Sequence, residues 1–485
     1  MNRSGTLTVL VFTFLTTLSG CNATRPGAVI HAAEQDRLQS FNREVAQRGA
    51  PASIIRASLG SPTDATTISL AQHLEPGKRG SETLTVDALV ADVLARNPSL
   101  AQMTAAWQAA SARYPQVRSW DDPMVSGMLA PSSFGSNAVE SGYRFEVSQK
   151  IPFPGKLRLR GQGALAEASA AESDVEDLRV QLVETTKLAF YDYYLVERAI
   201  AVNKEGLDLL KQFRENADLR FKTGQVPQQD VLQAVVEIGR QQERGVTLER
   251  MRKVAIARIN TLRSAVPDES IGAPPEKLAT GAGLPTIESL RSIALTQRPD
   301  LKALEDRITA EKTAIALAFK DYYPDVEIAG IYDSIMGNGP ARDLAPQVGV
   351  RMNLPIRLSK RNAAVAEAQA KVAQKQAELS SRVNQVQFQV QEAYEQVIES
   401  EQILALYEKT LLPAARDNVK AAQAAYTTGK TPFLSLIEAQ RSLIQLRDRN
   451  YLTSADYHRR LASLERAIGG PIAVREESER PVHKK

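Results

Sequence analysis

The sequence contains few of the residues that catalytic and metal sites require. Its 485 residues include one cysteine and four histidines, so an internal disulfide is excluded. No HExxH motif, cysteine pair or nucleophile motif occurs, and the glycine-rich GQGALAE segment lacks the third glycine of a dinucleotide-binding loop. The formal net charge is only +4, which gives no support for nucleic-acid binding by bulk charge. These absences argue against an enzyme and predict neither a cofactor nor a metal site.

The N-terminus carries an apolar run that is too short to span a bilayer. It extends from Leu7 to Leu18 and predicts a signal peptide over residues 1–20. The run ends in Leu-Ser-Gly-Cys, which resembles a bacterial lipobox, so Cys21 is the predicted lipidation site. The alternative is a chance cysteine behind a signal peptide. Residues 21–83 show no sustained period and are interpreted as a lipid-anchored arm, which binds the membrane without spanning it.

The remaining chain consists of two related halves, at residues 84–267 and 287–470. Short segments correspond in order: RNPSL with QRPDL, ALAEASA with AVAEAQA, and RFKTGQVP with AYTTGKTP. An ordered series of this kind indicates an internal duplication. Residues 268–286 are interpreted as the linker between the repeats, and residues 471–485 as a C-terminal tail.

Each half contains two segments with the periodicity of a strand. In YRFEVSQKIP, apolar residues alternate with polar ones, which is typical of a strand with one apolar face, and PQVGVRMNLP repeats the pattern. With partners at about Pro123–Ala130 and Asp325–Ser334, four strands are predicted. Their lengths are close to the ~9–11 residues of a tilted strand that crosses a bilayer. Because four strands cannot close a membrane barrel, several chains must share one.

Two very long helices are predicted to follow the strand pairs, at Lys156–Phe221 and Ser359–Tyr426. Each would reach roughly 100 Å at about 1.5 Å per residue. Small and apolar residues recur along them at alternating spacings of four and three, the rhythm of helices that pack in a left-handed coiled coil. An ordinary coiled coil without a duct would show the same rhythm.

Both long helices end in the same short motif, TGxxP. A glycine can close one helix in left-handed geometry, and a proline three residues later can lie in the first turn of the next helix. The residues concerned are Gly224 and Pro227 in the first half and Gly429 and Pro432 in the second. Each half is therefore predicted to form an antiparallel helical hairpin whose tip lies far from the strands.

The lipobox, the duplicated helix-strand-strand-helix unit, the segment SQKIPFPGK and the tips RFKTGQ and YTTGKTPFLSLIEAQ resemble the TolC-type outer-membrane efflux protein family. The closest resemblance is to its lipoprotein branch, which serves resistance-nodulation-division metal and drug pumps. The resemblance implies an α+β membrane protein with a long-helix α-barrel and a transmembrane β-barrel, four strands per chain and twelve in a homotrimer.

The resemblance also implies a location and partners. The protein would be a passive exit duct in the outer membrane of a Gram-negative-type cell, lipid-anchored and extending into the periplasm. The implied partners are a periplasmic adaptor (membrane fusion) protein, an inner-membrane resistance-nodulation-division pump and outer-membrane lipid.

The resemblance further implies a narrow aperture near the periplasmic tips. The acidic positions of the family fall at Ser435 and Glu438 in the second half, and the first half offers Asp230 and Gln233. One carboxylate per hairpin would line the aperture, where a ring attracts cations. The alternative is that both acids only favour helix N-termini. The glycines and prolines of the two TGxxP motifs are expected to shape the adaptor-docking tips, besides making turns.

Two smaller sets of residues lie in or beside the strands. The basic residues that follow the second strand of each half are interpreted as contacts to lipid headgroups or as solvated helix starts. They are Lys156, Arg158 and Arg160, and Arg357, Lys360 and Arg361. The strand methionines carry thioethers that bind soft metals, but packing is the favoured interpretation. They are Met124, Met128, Met336 and Met352.

Two other protein classes share part of this pattern. A lipid-anchored periplasmic adaptor also uses a long helical hairpin, but it nests one hairpin between β-rich halves. A structural coiled-coil lipoprotein without a pore would not account for the alternating strands. Two hairpins, each preceded by a strand pair, favour the duct.

Overall fold

Two structural repeats make up the part of the chain that this computed structural model describes. That part comprises residues 83–130, 141–279, 283–336 and 346–472. The predicted signal peptide and Cys21 lie outside the described residues, as does nearly all of the predicted arm and tail.

The first repeat places a strand pair between two short helices and a long helical hairpin. Its elements in chain order are α1 (Val86–Arg96), α2 (Pro98–Arg118), β1 (Met124–Ala130), β2 (Ser141–Ile151), α3 (Lys156–Lys222) and α4 (Gln228–Leu262). At about 1.5 Å per residue, α3 extends roughly 100 Å, as its sequence predicts.

The second repeat has the same order of elements. They are α5 (Ile287–Gln297), α6 (Pro299–Lys320), β3 (Val326–Met336), β4 (Gln347–Met352), α7 (Leu358–Leu406), a π-helical turn (Tyr407–Leu411), α8 (Leu412–Thr427) and α9 (Phe433–Ile468). The predicted twofold internal repeat is therefore confirmed.

The second predicted rod, Ser359–Tyr426, is helical throughout, but a π-helical turn separates α7 from α8. At this turn the backbone N–H of Leu412 bonds to the carbonyl of Tyr407, five residues earlier. Pro413 follows directly. In a regular helix its ring would collide with the carbonyl of Lys409. The wider turn accommodates the proline without ending the rod.

The strands form one antiparallel sheet in the order β1-β2-β3-β4. The repeats join where β2 pairs with β3, with Arg144 opposite Asp333 and Val147 opposite Gly330. Strands β1 and β4 are the edges of this sheet, so within the described chain each keeps one row of unpaired backbone groups.

The helices pack around α3, which contacts α1, α2, α4, α6 and α9. On α3 the residues Ala168, Val175 and Leu182 follow the four-three rhythm and are buried. Val386 and Val390 are likewise buried on α7, which contacts α5, α6 and α9. The coiled-coil rhythm thus selects the packed side of both rods.

The two repeats use the same position to close their last helix. Asn97, just before Pro98, donates from Nδ2 to the carbonyl of Leu262 at the end of α4, at 3.0 Å. Arg298, just before Pro299, donates from Nη1 to the carbonyl of Ala467 at the end of α9, at 3.1 Å. A helix end has carbonyls without partners inside the helix, and both side chains supply one.

Arg298 is far more enclosed than a cation normally is, with 3% of its side chain exposed. Its guanidinium binds both carboxylate oxygens of Asp300, at 2.9 and 2.7 Å, and Gln389 at 2.9 Å. Arg382 donates to the same carboxylate at 2.7 Å. Burial opposes ionisation of Asp300, but the bonds from Arg298 and Arg382 outweigh it and lower its pKa to about 2.

Candidate functional site

The tips of the two hairpins have the same backbone geometry. Gly224 and Gly429 have φ angles of 72° and 74°, in the left-handed region that favours glycine. In each tip the backbone N–H of the next residue donates to the carbonyl five residues earlier in the helix. Gln225 donates to Arg220 at 2.8 Å, and Lys430 donates to Ala425 at 2.9 Å. This is the Schellman arrangement that ends a helix.

The prolines of the TGxxP motifs lie at the start of the returning helices. Pro227 and Pro432 are the N-cap residues of α4 and α9, with extended backbone at ψ 154° and 156°. They thus lie one position before the helices rather than inside the first turn. All four predicted tip residues lie in the turns between the paired helices.

The two tips of one chain are packed against each other. Buried apolar residues from α3, α4, α8 and α9 form one cluster there: Leu210, Phe213, Ala234, Tyr426, Phe433, Leu436 and Ile437. Within it the rings of Tyr426 and Phe433 lie 5.3 Å apart. The hairpin ends are therefore joined by a small core of their own.

A polar network, which we call the tip network, links the same hairpin ends through Arg220, Asp230 and Tyr426. The hydroxyl of Tyr426 donates to Oδ2 of Asp230 at 3.4 Å. Arg220 donates to the carbonyl of Tyr426 at 2.7 Å, and its guanidinium carbon lies 4.9 Å from the centre of the Tyr426 ring. The network therefore ties the first tip to the second.

Protonation in the tip network is set chiefly by burial. Burial raises the pKa of Asp230, and the hydrogen bond from Tyr426 and the charge of Arg220 oppose this. Burial, with the adjacent Asp230 carboxylate, raises the pKa of Tyr426 to about 12. Tyr426 consequently remains a hydrogen-bond donor to Asp230 throughout the neutral range.

The structure brings only one of the predicted aperture residues into this network. Asp230 belongs to it, whereas Gln233 and Ser435 are half-buried on α4 and α9 and Glu438 is exposed. The pKa of the Arg441 guanidinium is raised chiefly by a hydrogen bond with Glu237, and the charge of Glu438 adds to this effect. A single chain therefore does not gather these residues into one cluster, and an aperture ring stays a proposal.

The sequence reasoning missed a second link between the hairpins, at Glu237 on α4. Arg441 on α9 binds both oxygens of this buried carboxylate, with Nε at 2.9 Å from Oε2, and Arg240 binds it at 2.8 Å. The hydrogen bond from Arg441 leads the effects that lower the pKa of Glu237. A signal was present, because Glu237 and Arg441 follow their tip prolines at nearly the same distance with opposite charge.

The sheet has an apolar face that is exposed and a polar face that is partly covered. On β2, 55% of Phe145 is exposed and Val147 is exposed as well, whereas Glu146 and Ser148 are buried. On β4, 81% of Val348 is exposed. A sheet whose outer face meets water exposes its polar side chains and buries its apolar ones. Strands of a membrane barrel instead carry their apolar residues outward to lipid.

One of the residues expected to contact lipid headgroups is instead buried. Lys156, at the start of α3, is 3% exposed and pairs with Asp321 at 2.9 Å and Asp325 at 3.0 Å. Asp325 also accepts the backbone N–H of Phe153 at 2.8 Å. Lys156 thus fastens the strand pair of the first repeat to the second, and the headgroup interpretation of this residue is wrong.

The other basic residues of the two clusters have different surroundings. Arg158, Arg160, Arg357 and Lys360 are exposed, whereas Arg361 donates to the carbonyl of Asp321 at 2.7 Å. The headgroup interpretation of the four exposed residues stays a prediction.

The side chains of three of the four strand methionines are described. None of the three has the expected packing within the chain. Met124 is 72% exposed, and Met128 and Met352 are exposed too. Met124 and Met128 lie opposite Ser148 and Arg144, which places them on the polar face of the sheet. The side chain of Met336 lies outside the described part. The described residues hold no group of three or more histidine, cysteine and acidic side chains that could bind a metal ion.

Among the described helices, none combines the length and the apolar character that crossing a membrane requires.

The family model of the outer membrane efflux protein matches the sequence at residues 89–263 and 290–470. The chain belongs to the outer membrane efflux protein family. Each matched stretch contains one strand pair and one helical hairpin of the described fold. Among curated proteins, none matches the sequence significantly.

Solved outer membrane channels share this fold. The outer-membrane channel OprN superposes with a TM-score of 0.70 at 22% identity, over 79% of this chain and 90% of that one. CusC, whose structures concern folding and transmembrane channel formation, superposes with a TM-score of 0.69 at 17% identity, over 80% of this chain and 93% of that one. The Campylobacter jejuni CmeC outer membrane channel superposes with a TM-score of 0.67 at 16% identity, over 86% of this chain and 95% of that one.

Membership of the outer membrane efflux protein family confirms the predicted fold class, with long helices that build a helical barrel and strands that contribute to a β-barrel. It also confirms that the protein is a channel component and places it in the outer membrane. The adaptor and the pore-free coiled-coil alternatives are therefore set aside.

Proposed function

We propose that this protein is the outer-membrane channel of a tripartite efflux system. Three copies form a passive duct that conducts small molecules or metal ions to the outside. An inner-membrane resistance-nodulation-division pump supplies the energy, and a periplasmic adaptor joins the pump to the tips. Lipidated Cys21 anchors each chain in the outer membrane.

The four-stranded sheet carries this proposal. Its apolar face is exposed, its polar face holds paired charges, and both edge strands lack a partner within the described chain. Open edges are not tolerated in lipid, so β1 of one copy must pair with β4 of the next. Three such sheets close a barrel of ordinary size for the outer membrane.

The helical part offers matching surfaces for the same assembly. Helix α4 packs mainly on α3, and it leaves Val246 75% exposed and Val254 exposed. On α7, Ile403 and Leu406 are exposed. At about 1.5 Å per residue, Val246 and Leu406 both lie roughly 30 Å from their tips. An α4 from one copy and an α7 from the next would bury these residues at the same height.

The tips fit the role of the adaptor-docking end. The helices extend roughly 100 Å away from the sheet at about 1.5 Å per residue, so the tips lie deep in the periplasm. There Gly224, Pro227, Gly429 and Pro432 set the turns, and Asp230 and Glu438 supply the carboxylates of the proposed aperture.

The first test is single-channel conductance of the purified full-length protein in planar bilayers, with the oligomer mass measured in the same detergent. We expect a trimer with discrete, cation-preferring conductance. Glu438→Gln should lower the cation-to-anion permeability ratio roughly twofold, because half of the proposed carboxylate ring loses its charge.

Glu215→Gln is the matched control, since Glu215 is also an exposed acid but lies on α3 outside the tip network. It should leave the permeability ratio unchanged. A protein that stays attached to the membrane but never conducts would contradict the channel.

A further inference from the structure

The polar face of the sheet carries as many positive as negative side chains. Residues that lie opposite each other in the register have their side chains on the same face of the sheet. The register therefore identifies which residues of all four strands belong to the polar face. The charged residues on it in the described chain are Arg144, Lys150 and Arg351, and Glu146, Glu327 and Asp333. Their formal charges cancel.

The pair farthest from the helices is Arg144 with Asp333. The two residues are direct partners in the β2-β3 register. The guanidinium binds the carboxylate with both arms, Nε to Oδ1 at 2.6 Å and Nη2 to Oδ2 at 3.0 Å. A bidentate pair of this kind holds both charges in one geometry. It lies near the ends of β2 and β3 that adjoin residues 131–140 and 337–345.

The charges nearer the helices form a second neutral group. Arg351 on β4 binds Glu146 on β2 and lies 3.6 Å from Glu327 on β3. Lys150 is the register partner of Glu327. Within this second group, between Glu146 and Lys150, the same face carries small uncharged residues, Ser148, Ala329 and Gly349.

A channel selects ions by a ring of one sign of charge. In the proposed trimer, each charge on this wall is matched by an opposite charge on another strand of the same sheet, so no such ring is formed. We propose that the Arg144–Asp333 pair keeps the outer end of the duct free of charge selectivity, so that cargo of either sign leaves. This rests on the proposed channel function and assigns ion preference to the periplasmic aperture alone.

The test compares reversal potentials of the full-length protein in planar bilayers under a salt gradient at low ionic strength, where charges are least screened. Arg144→Gln leaves an unpaired Asp333 in each copy and should raise the cation-to-anion permeability ratio roughly twofold. Asp333→Asn leaves an unpaired arginine and should lower the ratio by a similar factor. The double variant should return to the wild-type ratio.

The charge-swapped variant Arg144→Asp with Asp333→Arg is the matched control, because it keeps the pair and should behave like the wild type. Single variants that shift the ratio in the same direction, or not at all, would overturn the assignment. So would a double variant that does not return to the wild-type ratio. If the wild type itself does not conduct, the proposed function fails and this inference fails with it.

Discussion

Replacing Arg298 by alanine should lower the free energy of unfolding by about 3–5 kcal/mol. The substitution removes a buried cation and leaves Asp300 with Arg382 as its remaining cationic partner. It also removes the donor that satisfies the carbonyl of Ala467 at the end of α9. The loss is measured by denaturant unfolding of the purified protein in detergent, followed by far-ultraviolet circular dichroism.

The equivalent position in the first repeat provides the matched control. Asn97→Ala removes uncharged hydrogen bonds to Leu262 and Ser99, so we expect a loss of about 1 kcal/mol. Equal losses in the two variants would contradict the special role of the buried charge.

The pH dependence has a defined sign. The pKa of Asp300 is about 2 in the folded chain, against about 3.9 when unfolded. Its contribution is therefore present above about pH 4 and is lost as the pH falls towards 2.

Replacing Gly429 by valine should abolish export while leaving the assembled trimers intact. The φ angle of Gly429 is 74°, and no atom lies within 4 Å of the position a β-carbon would occupy. The penalty is therefore conformational, about 1–2 kcal/mol for a residue with a β-carbon. Since about 1.4 kcal/mol corresponds to a factor of ten, the ratio of the native turn to other turn conformations falls roughly five- to thirtyfold.

Export is measured as the resistance of cells to a panel of metal salts and antibiotics, in a strain whose own channel is deleted, and assembly by cross-linking. Gly239→Val is the control, because Gly239 also has open space around it but lies within α4 without a positive φ angle. Full resistance with Gly429→Val would show that the geometry of the second tip is dispensable for docking.

The features that the sequence predicted well are those with a local physical signal. The alternation in YRFEVSQKIP identifies β2 because side chains of a strand point alternately to its two faces. Gly224 and Gly429 identify the helix ends because only glycine enters left-handed geometry without strain. Such patterns occur in both halves, so each prediction in one half could be compared with the corresponding segment of the other half.

The features that it missed depend on contacts between distant segments. The sequence alone predicts Lys156 to be a solvated basic residue, because its partners Asp321 and Asp325 belong to the other repeat. Arg220 and Tyr426 form part of the tip network only because the two hairpins pack side by side. Pro413 was a local signal for an interruption of the second rod, but the periodicity on either side of it concealed the π-helical turn.

The open edges of the sheet also determine the order of events during biogenesis. A lone chain that entered the bilayer would place the unpaired backbone groups of β1 and β4 in hydrocarbon, which costs several kcal/mol for each group. Association in the periplasm must therefore precede or accompany insertion, and its rate depends on how many newly secreted chains are present at once. Until other copies pair with them, the same edges are templates for aggregation.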